Sequence, residues 1–245
     1  MQATESQALA GQVAVITGAG RGIGQAIACA YARAGAAVIC AARSGQQLAD
    51  TVQKIEAGGG RALAIEADVT RYEQVKGLFD EAVRVFGGVD LVLANAGTGS
   101  AGRKIEAVDP ERWAQTIQVN LIGAFNTAHA AIPHLRARGG GKLIFMGSGT
   151  RHGAAPGMSD YAGSKLAVWK LVQILAMELQ DASISVNELI PGPVRTAMTA
   201  PGGFRFPAGE WVKDPEDVVP LAMFMASQAN DGPSAQSFSL MRRAG

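Results

Sequence analysis

Seven short runs rich in Val, Ile and Leu punctuate the chain, at Val13–Thr17, Ala37–Ala42, Ala62–Glu66, Val89–Ala94, Lys142–Gly147, Ser185–Ile190 and Gln236–Leu240. Between them lie longer stretches with helical periodicity, at Ile23–Arg33, Gln46–Ala57, Tyr72–Phe86, Pro110–Leu135, Tyr161–Leu179 and Pro215–Ala226. Runs that are apolar on both faces suit strands of a parallel sheet, because only covering helices can bury both sides. Parallel neighbours cannot be joined by a tight turn, so each helical stretch is the crossover that two strands require. Strand and helix in alternation therefore predict an α/β fold with one doubly wound sheet. Gly58-Gly59-Gly60, Gly87-Gly88 and Gly139-Gly140-Gly141 fall between a helix and the next strand, where helix ends favour left-handed residues. No linker, repeat or low-complexity segment interrupts the pattern, and residues 1–245 read as a single domain.

Bulk properties narrow the function. A hydrophobic content of 48% with 18% charged residues is that of a globular protein. A net charge of +1 gives no electrostatic reason to expect nucleic acid or an anionic membrane as partner, and Arg242-Arg243 is too small a basic run to alter that. Cys29 and Cys40 both sit in apolar contexts, as buried reduced thiols rather than a disulfide framework. His129, His134 and His152 are scattered, and no cluster has metal-ligand spacing. Met1 to Gln12 carry no secretory pattern, and no apolar run approaches the roughly 20 residues that span a bilayer. The expectation is a soluble, cytoplasmic protein acting on a small molecule.

The first strand leads into Thr17-Gly-Ala-Gly-Arg-Gly-Ile-Gly24 and then a helix. Glycines at 18, 20, 22 and 24 let the backbone turn sharply and approach a pyrophosphate, while the helix start offers free amides and the positive end of its dipole. Arg21 and Ile23 lie within the same loop. A glycine-rich turn without a ligand is the bland alternative, but the position on the first βα turn of a βαβ unit favours a dinucleotide. An NAD site usually places an acid at the end of the second strand, to bind the ribose 2′-hydroxyl. Here the segment is Cys40-Ala-Ala-Arg-Ser44, with Ala42 where the acid would stand and Arg43 after it. Arginine forks suit a 2′-phosphate, and Arg21 supplies a second cation, so NADP(H) is expected in preference to NAD(H).

Tyr161 and Lys165 stand at i and i+4, on one face if the segment is helical, and Ser148 ends an apolar run upstream. A free tyrosine has a pKa of about 10, and a fixed ammonium nearby favours the phenolate. Bringing it to about 7 requires roughly 4 kcal/mol of differential stabilisation. The spacing alone also fits a solvated pair on an ordinary helix.

Thr17-Gly18-x-x-x-Gly22-x-Gly24, Asp68-Val69, Asn95-Ala96-Gly97, Asn120, Ser148, Tyr161-x-x-x-Lys165 and Pro191-Gly192 together resemble the short-chain dehydrogenase/reductase family, in its single-domain branch. The resemblance runs from about Gly11 to Leu240. It implies a Rossmann-type sheet of seven parallel strands, ordered 3-2-1-4-5-6-7, with helices on both faces. It also implies roles. Tyr161 is then the general acid/base, Lys165 lowers its pKa and binds the nicotinamide ribose, and Ser148 steadies the substrate oxygen. Asn120 holds a water that links Lys165 to solvent. Asp68 accepts from the adenine amino group beside the Val69 amide. Asn95 braces the central strands, and Ala96-Gly97 let the cofactor pass. Pro191, Gly192, Val194 and Thr196 flank the nicotinamide and diphosphate. Assembly as a homotetramer or homodimer through the Pro110–Leu135 and Tyr161–Leu179 helices is implied by the family as well.

The chain departs from the family where Ala94-Asn95 replaces a doubled asparagine, and where the C-terminal end reads Phe238-Ser-Leu-Met-Arg-Arg-Ala-Gly245. Gly147 and Gly149 flank Ser148 and are expected to add little bulk to the pocket. A lid over the substrate is expected at about 195–214, with Met198, Phe204, Phe206 and Trp211 as its apolar residues. These side chains fit either an apolar ketone or alcohol, or a covered core or subunit contact. Arg151, His152 and Met158 are further candidates for the pocket lining. Three readings compete: an NADP(H)-dependent carbonyl reductase or alcohol dehydrogenase (or its NAD-dependent counterpart), a non-catalytic dinucleotide sensor, and a nucleotide-sugar epimerase or dehydratase. The sensor reading predicts loss of Tyr161 or Lys165, and the third usually needs a further C-terminal substrate domain.

Overall fold

The computed structural model describes residues 7–199 and 211–241. Its strands are β1 (Val13–Thr17), β2 (Ala37–Ala42), β3 (Arg61–Glu66), β4 (Leu91–Ala94), β5 (Gly141–Met146), β6 (Ile184–Ile190) and β7 (Ser237–Ser239). All pair in parallel in one seven-stranded sheet, ordered β3-β2-β1-β4-β5-β6-β7. The helices are α1 (Gly22–Arg33), α2 (Gly45–Ala57), α3 (Tyr72–Phe86), α4 (Pro110–Ile117), α5 (Gly123–Ala137), α6 (Ser159–Glu178) and α7 (Val219–Ala226).

Two apolar layers hold this arrangement. One packs α3, α5 and α6 on one face of the sheet through Phe79, Val75, Leu135, Val168 and Val172. The other packs α1, α2 and α7 on the opposite face through Ile27, Tyr31, Leu48, Ala222 and Met225. Of the five inner strands, β1, β4, β5 and β6 are buried along their whole length and β2 in all but its last residue, as an apolar run without alternation requires. The outermost strands β3 and β7 are half exposed, so their apolar runs overstate their burial.

Most element bounds shift from expectation by a residue or two, and two departures bear on the site. β4 begins at Leu91, and Asp90 before it still bonds both neighbouring strands through its backbone, while its carboxylate accepts from the Val13 amide at 2.8 Å and pairs with Arg138 at 2.8 Å. The helix expected over Pro110–Leu135 is interrupted by a π turn at Gln118–Ile122. Such a turn accommodates an extra residue within a helix and often marks a functional position. Asn120 lies inside it.

Candidate active site

A cleft of about 1380 Å³ opens at the carboxyl ends of the central strands. In open α/β sheets that is where ligands bind, at the point where the strand order reverses.

The β1–α1 turn forms its floor. Gly18 has φ +68°, a left-handed conformation, and a side chain there would collide with Asn95 Nδ2 at 2.8 Å. A side chain on Gly24 would strike the Gly18 carbonyl and Asn95 Nδ2. The loop is thus pressed against β4, where Asn95 Nδ2 donates to the Thr17 carbonyl at 2.9 Å. Thr17 Oγ1 accepts from the Asn95 and Ala96 amides, both at 3.1 Å. Thr17 is a bracing residue that strand periodicity alone does not single out. Gly20, Arg21, Gly22 and Ile23 line the cleft at the start of α1, whose first turn carries no acidic residue and no side-chain cap. Its free amides face the cleft as a site for an anion. Thr196 approaches the loop from across the cleft, with its methyl 3.4 Å from where a Gly22 Cβ would lie.

At one end, Ala42 closes β2, Arg43 is exposed and Ser44 caps α2 by accepting from the Gln47 amide. Asp68 lies beside them. Burial works against ionisation of its carboxyl, but bonds from the Thr70 amide and hydroxyl, with Arg43 and Arg71 nearby, hold its pKa below the usual value. Val69 is fixed by Asn126, whose Nδ2 donates to its carbonyl at 2.8 Å. Only the helical position of Asn126, apolar by pattern, hints at this brace.

Ser148, Tyr161 and Lys165 meet at the other end. Asp160, just before Tyr161, anchors the start of α6: its carboxylate accepts from the Ser100 hydroxyl at 2.6 Å and the Ala101 amide at 2.9 Å. Lys165 is buried, and its Nζ donates to the Met146 carbonyl at 2.7 Å. That Nζ lies 5.8 Å from the centroid of the Tyr161 ring. Ser148 Oγ acts on the Tyr161 hydroxyl to favour its phenolate and lies 2.9 Å from Thr150 Oγ1. Burial brings the Lys165 pKa down to about 8, with Glu188 acting in the opposite sense.

The tyrosine corrects one expectation. Its pKa is raised, because burial penalises the phenolate more than the Ser148 bond favours it. The i, i+4 spacing does bring Lys165 near the ring, but its ammonium is directed at Met146.

Asn120 stands behind this group rather than in the cleft wall. Its Oδ1 accepts from the Thr98 amide at 2.8 Å, and its Nδ2 donates to the Thr98 carbonyl and to Ser164 Oγ. Ser164 in turn donates to the Tyr161 carbonyl at 2.7 Å. Gly97 fits between, since a Cβ there would lie 3.2 Å from Asn120 Oδ1 and 3.9 Å from Lys165 Nζ. Pro191, Gly192, Val194 and Thr196 line the far wall.

The glycines beside Ser148 are tighter than their sequence context suggests. A side chain on Gly147 would overlap the Glu188 carboxylate, and one on Gly149 would overlap Met241. Met158 and Met198 line the cleft, whereas Arg151 turns inward to Glu188 and is no part of the cleft lining. His152 is exposed. Trp211 is exposed, and Phe204 and Phe206 lie outside the described residues. Both cysteines are free, Cys40 buried and Cys29 partly so. Among the described residues no cluster suits a metal ion, and no helix is long and apolar enough to cross a membrane.

A doubly wound sheet with a glycine turn, a free helix start and a Ser–Tyr–Lys group at one cleft defines a dinucleotide-binding α/β protein of the oxidoreductase class. The short chain dehydrogenase family model matches residues 12–203, and the chain belongs to that family of nicotinamide-dependent oxidoreductases. It is 36% identical over 244 residues to trihydroxynaphthalene reductase PfmaI of Pestalotiopsis fici, covering 91% of this chain and 86% of that protein. A gluconate 5-dehydrogenase from Burkholderia cenocepacia, solved with NADP and tartrate, superposes with a TM-score of 0.88 at 31% identity, covering 98% of this chain and 97% of that one. Carveol dehydrogenase from Mycobacterium avium, solved with NAD, gives 0.87 at 27% identity, covering 96% and 97%.

Proposed function

We propose that the protein is a cytoplasmic NADP(H)-dependent reductase of ketones, or in reverse a dehydrogenase of secondary alcohols, with Tyr161 as general acid/base. The observation that carries this is the convergence of Ser148, Tyr161 and Lys165 on one end of a cleft whose other end holds Arg43.

The cleft fits a dinucleotide in its steric detail: Gly18, Gly24 and Gly97 leave room where a side chain would collide or crowd. Gly18 to Gly24 and Thr196 would hold the diphosphate, Asp68 and Val69 the adenine, Asn95 to Gly97 the middle of the molecule, and Pro191, Gly192 and Val194 the nicotinamide side. Reduced nicotinamide supplies a hydride when bound. The chain's residues handle the oxygen and the proton. Ser148 donates a hydrogen bond to the carbonyl oxygen as charge develops there, and Tyr161 delivers its proton to that oxygen. The raised Tyr161 pKa keeps the phenol protonated, as reduction requires. Lys165 would hold the nicotinamide ribose and return a proton toward Tyr161, with the Asn120 turn as its route to solvent.

NADP(H) is preferred because β2 ends in Ala42-Arg43 without a carboxylate to oppose a 2′-phosphate. The relative that reduces a trihydroxynaphthalene, by its name, supports an aromatic ketone as substrate, and Met158 and Met198 offer the adaptable apolar surface such a ring needs. Exposed Phe125 on α5, with Leu166, Ile174 and Met177 on α6, supports assembly as a homotetramer or homodimer through these helices. A panel of ketones and alcohols, followed by nicotinamide absorbance with each cofactor, tests the reading. No turnover of any aryl or alkyl ketone with either cofactor would sink it, and a higher catalytic efficiency with NADH would reverse the cofactor assignment.

A further inference from the structure

A buried charge pair lies under the reacting end of the cleft. Arg151 follows Ser148 in the short turn Gly149–His152, and its guanidinium is 2.9 Å from Glu188 Oε2. Their side chains are 7% and 0% exposed. Glu188 lies in the middle of β6, among residues buried along the whole strand. A carboxylate there is not a requirement of folding, since a buried ion pair gives back little more than its desolvation cost and apolar residues of similar volume serve as well.

Its surroundings connect it to the site. Glu188 Oε1 packs against Gly147, the residue before Ser148, which has no side chain to exclude it. That oxygen and Arg151 Nε have no hydrogen-bond partner among the described residues. The other oxygen accepts from Ser237 Oγ at 2.7 Å. Arg151 also lies over the Trp169 ring at 4.3 Å, and Trp169 is one helical turn beyond Lys165 on α6. Glu188 thus abuts Gly147, whose neighbour Met146 accepts from Lys165, so Glu188, Arg151, Lys165 and Tyr161 gather around the end of β5, with the buried Lys213 ammonium beside Gly192 as the further charge at this end of the sheet. Of these, Glu188 is the charge that acts on Lys165.

We propose that Glu188, held by Arg151, is a positioning residue that keeps the Lys165 ammonium charged behind Tyr161. It rests on the reading of Tyr161 and Lys165 as a proton-transfer pair, yet its electrostatic part can be read without turnover. Burial alone drives the ammonium toward its neutral form, and the neutral form can neither return a proton nor favour the phenolate. The Glu188 carboxylate opposes that drift, and Arg151 offsets the cost of burying an anion there.

The test is the titration of Lys165 by carbon-13 NMR of the lysine side chains, with its signal assigned by loss in Lys165→Met. Glu188→Gln is expected to move the Lys165 midpoint down by about one pH unit. Arg151→Met leaves the carboxylate in place and is expected not to lower it. Because a lone buried charge can unfold the chain, the paired variant Glu188→Gln/Arg151→Met removes both ions together, and its midpoint is expected to fall as well. An unchanged midpoint in the paired variant, or an equal fall in Arg151→Met, would overturn the proposal. Failure of the enzymatic reading would show separately, as a shifted lysine midpoint in a protein that turns over no ketone.

Discussion

Lys165 Nζ donates to the Met146 carbonyl at 2.7 Å, tying the middle of α6 to the end of β5 two residues before Ser148. The bond places the ammonium between the hydroxyl-bearing turn and the Asn120 turn, and it removes the charge from water. Both the ordering and the lowered proton affinity of the site follow from that one placement.

Tyr161→Phe keeps the ring and deletes the proton. Loss of general acid catalysis is expected to cut kcat by about 10³-fold, with NADPH affinity changed by less than about threefold. Single-turnover kinetics and fluorescence titration of NADPH separate the two. Near wild-type turnover would remove the phenol from its role.

Ser148→Ala removes a donor to the substrate oxygen and a bond that favours the Tyr161 phenolate. Reduction is expected to slow by about 10²-fold. The Tyr161 pKa is expected to rise further, since the hydroxyl that lowers it is gone, and the alkaline limb of alcohol oxidation should move to higher pH.

The pH dependence of reduction follows from Lys165. Its folded pKa of about 8 lies below its ordinary value, so the ammonium persists below about 8 and is lost above it. Ketone reduction is therefore expected to hold steady below that pH and fall toward tenfold per unit above it. A profile flat to pH 10 (roughly the unperturbed lysine range) would exclude Lys165 as the proton source.

Arg43→Ala tests the cofactor. NADPH efficiency is expected to drop by about tenfold or more through KM, with NADH little affected, as loss of a charge-assisted fork predicts. Equal losses with both cofactors would place Arg43 outside the 2′-phosphate contact.

Asp160 ties the start of α6 to Ser100 and Ala101, and these bonds hold its pKa below the ordinary carboxyl range despite burial. A depressed pKa means stability that is present above about pH 4 and lost as pH falls through the folded value. Asp160→Asn is expected to lower Tm at neutral pH and to flatten its dependence on acid, measured by thermal denaturation. An unchanged acid dependence would show that the carboxylate contributes none of it.

The alternation of strand and helix is legible because a two-faced apolar run admits few arrangements once its crossovers are helices, whereas the strand order is implied by the family resemblance and matched by the sheet. Sequence also located the glycine turn, whose residues now line the cleft as a group. What periodicity could not reveal was local competition for hydrogen bonds. The Asp90 carboxylate takes the Val13 amide and Arg138, cross-links that apolar spacing does not encode. The π turn at Gln118–Ile122 leaves the apolar spacing of a long helix nearly intact, so it reads as continuous. Spacing brings Lys165 near the Tyr161 ring but carries nothing about desolvation, which raises the phenol's pKa. Arg151 is a candidate for the pocket lining by sequence position alone, because its buried partner Glu188 is distant in sequence.

The π turn carries a consequence for how this chain tolerates change in length. An extra residue in a helix is geometrically an insertion, so deleting one residue from 118–122 would restore a regular helix rather than break one. The repaired helix would be the more ordinary one, and it would turn Asn120 by about 100° away from Thr98 and Ser164. Shortening there would give a chain that folds and docks poorly, in which regularity has been gained at the expense of the side chain that joins Ser164 on α6 to the Thr98 backbone beyond β4.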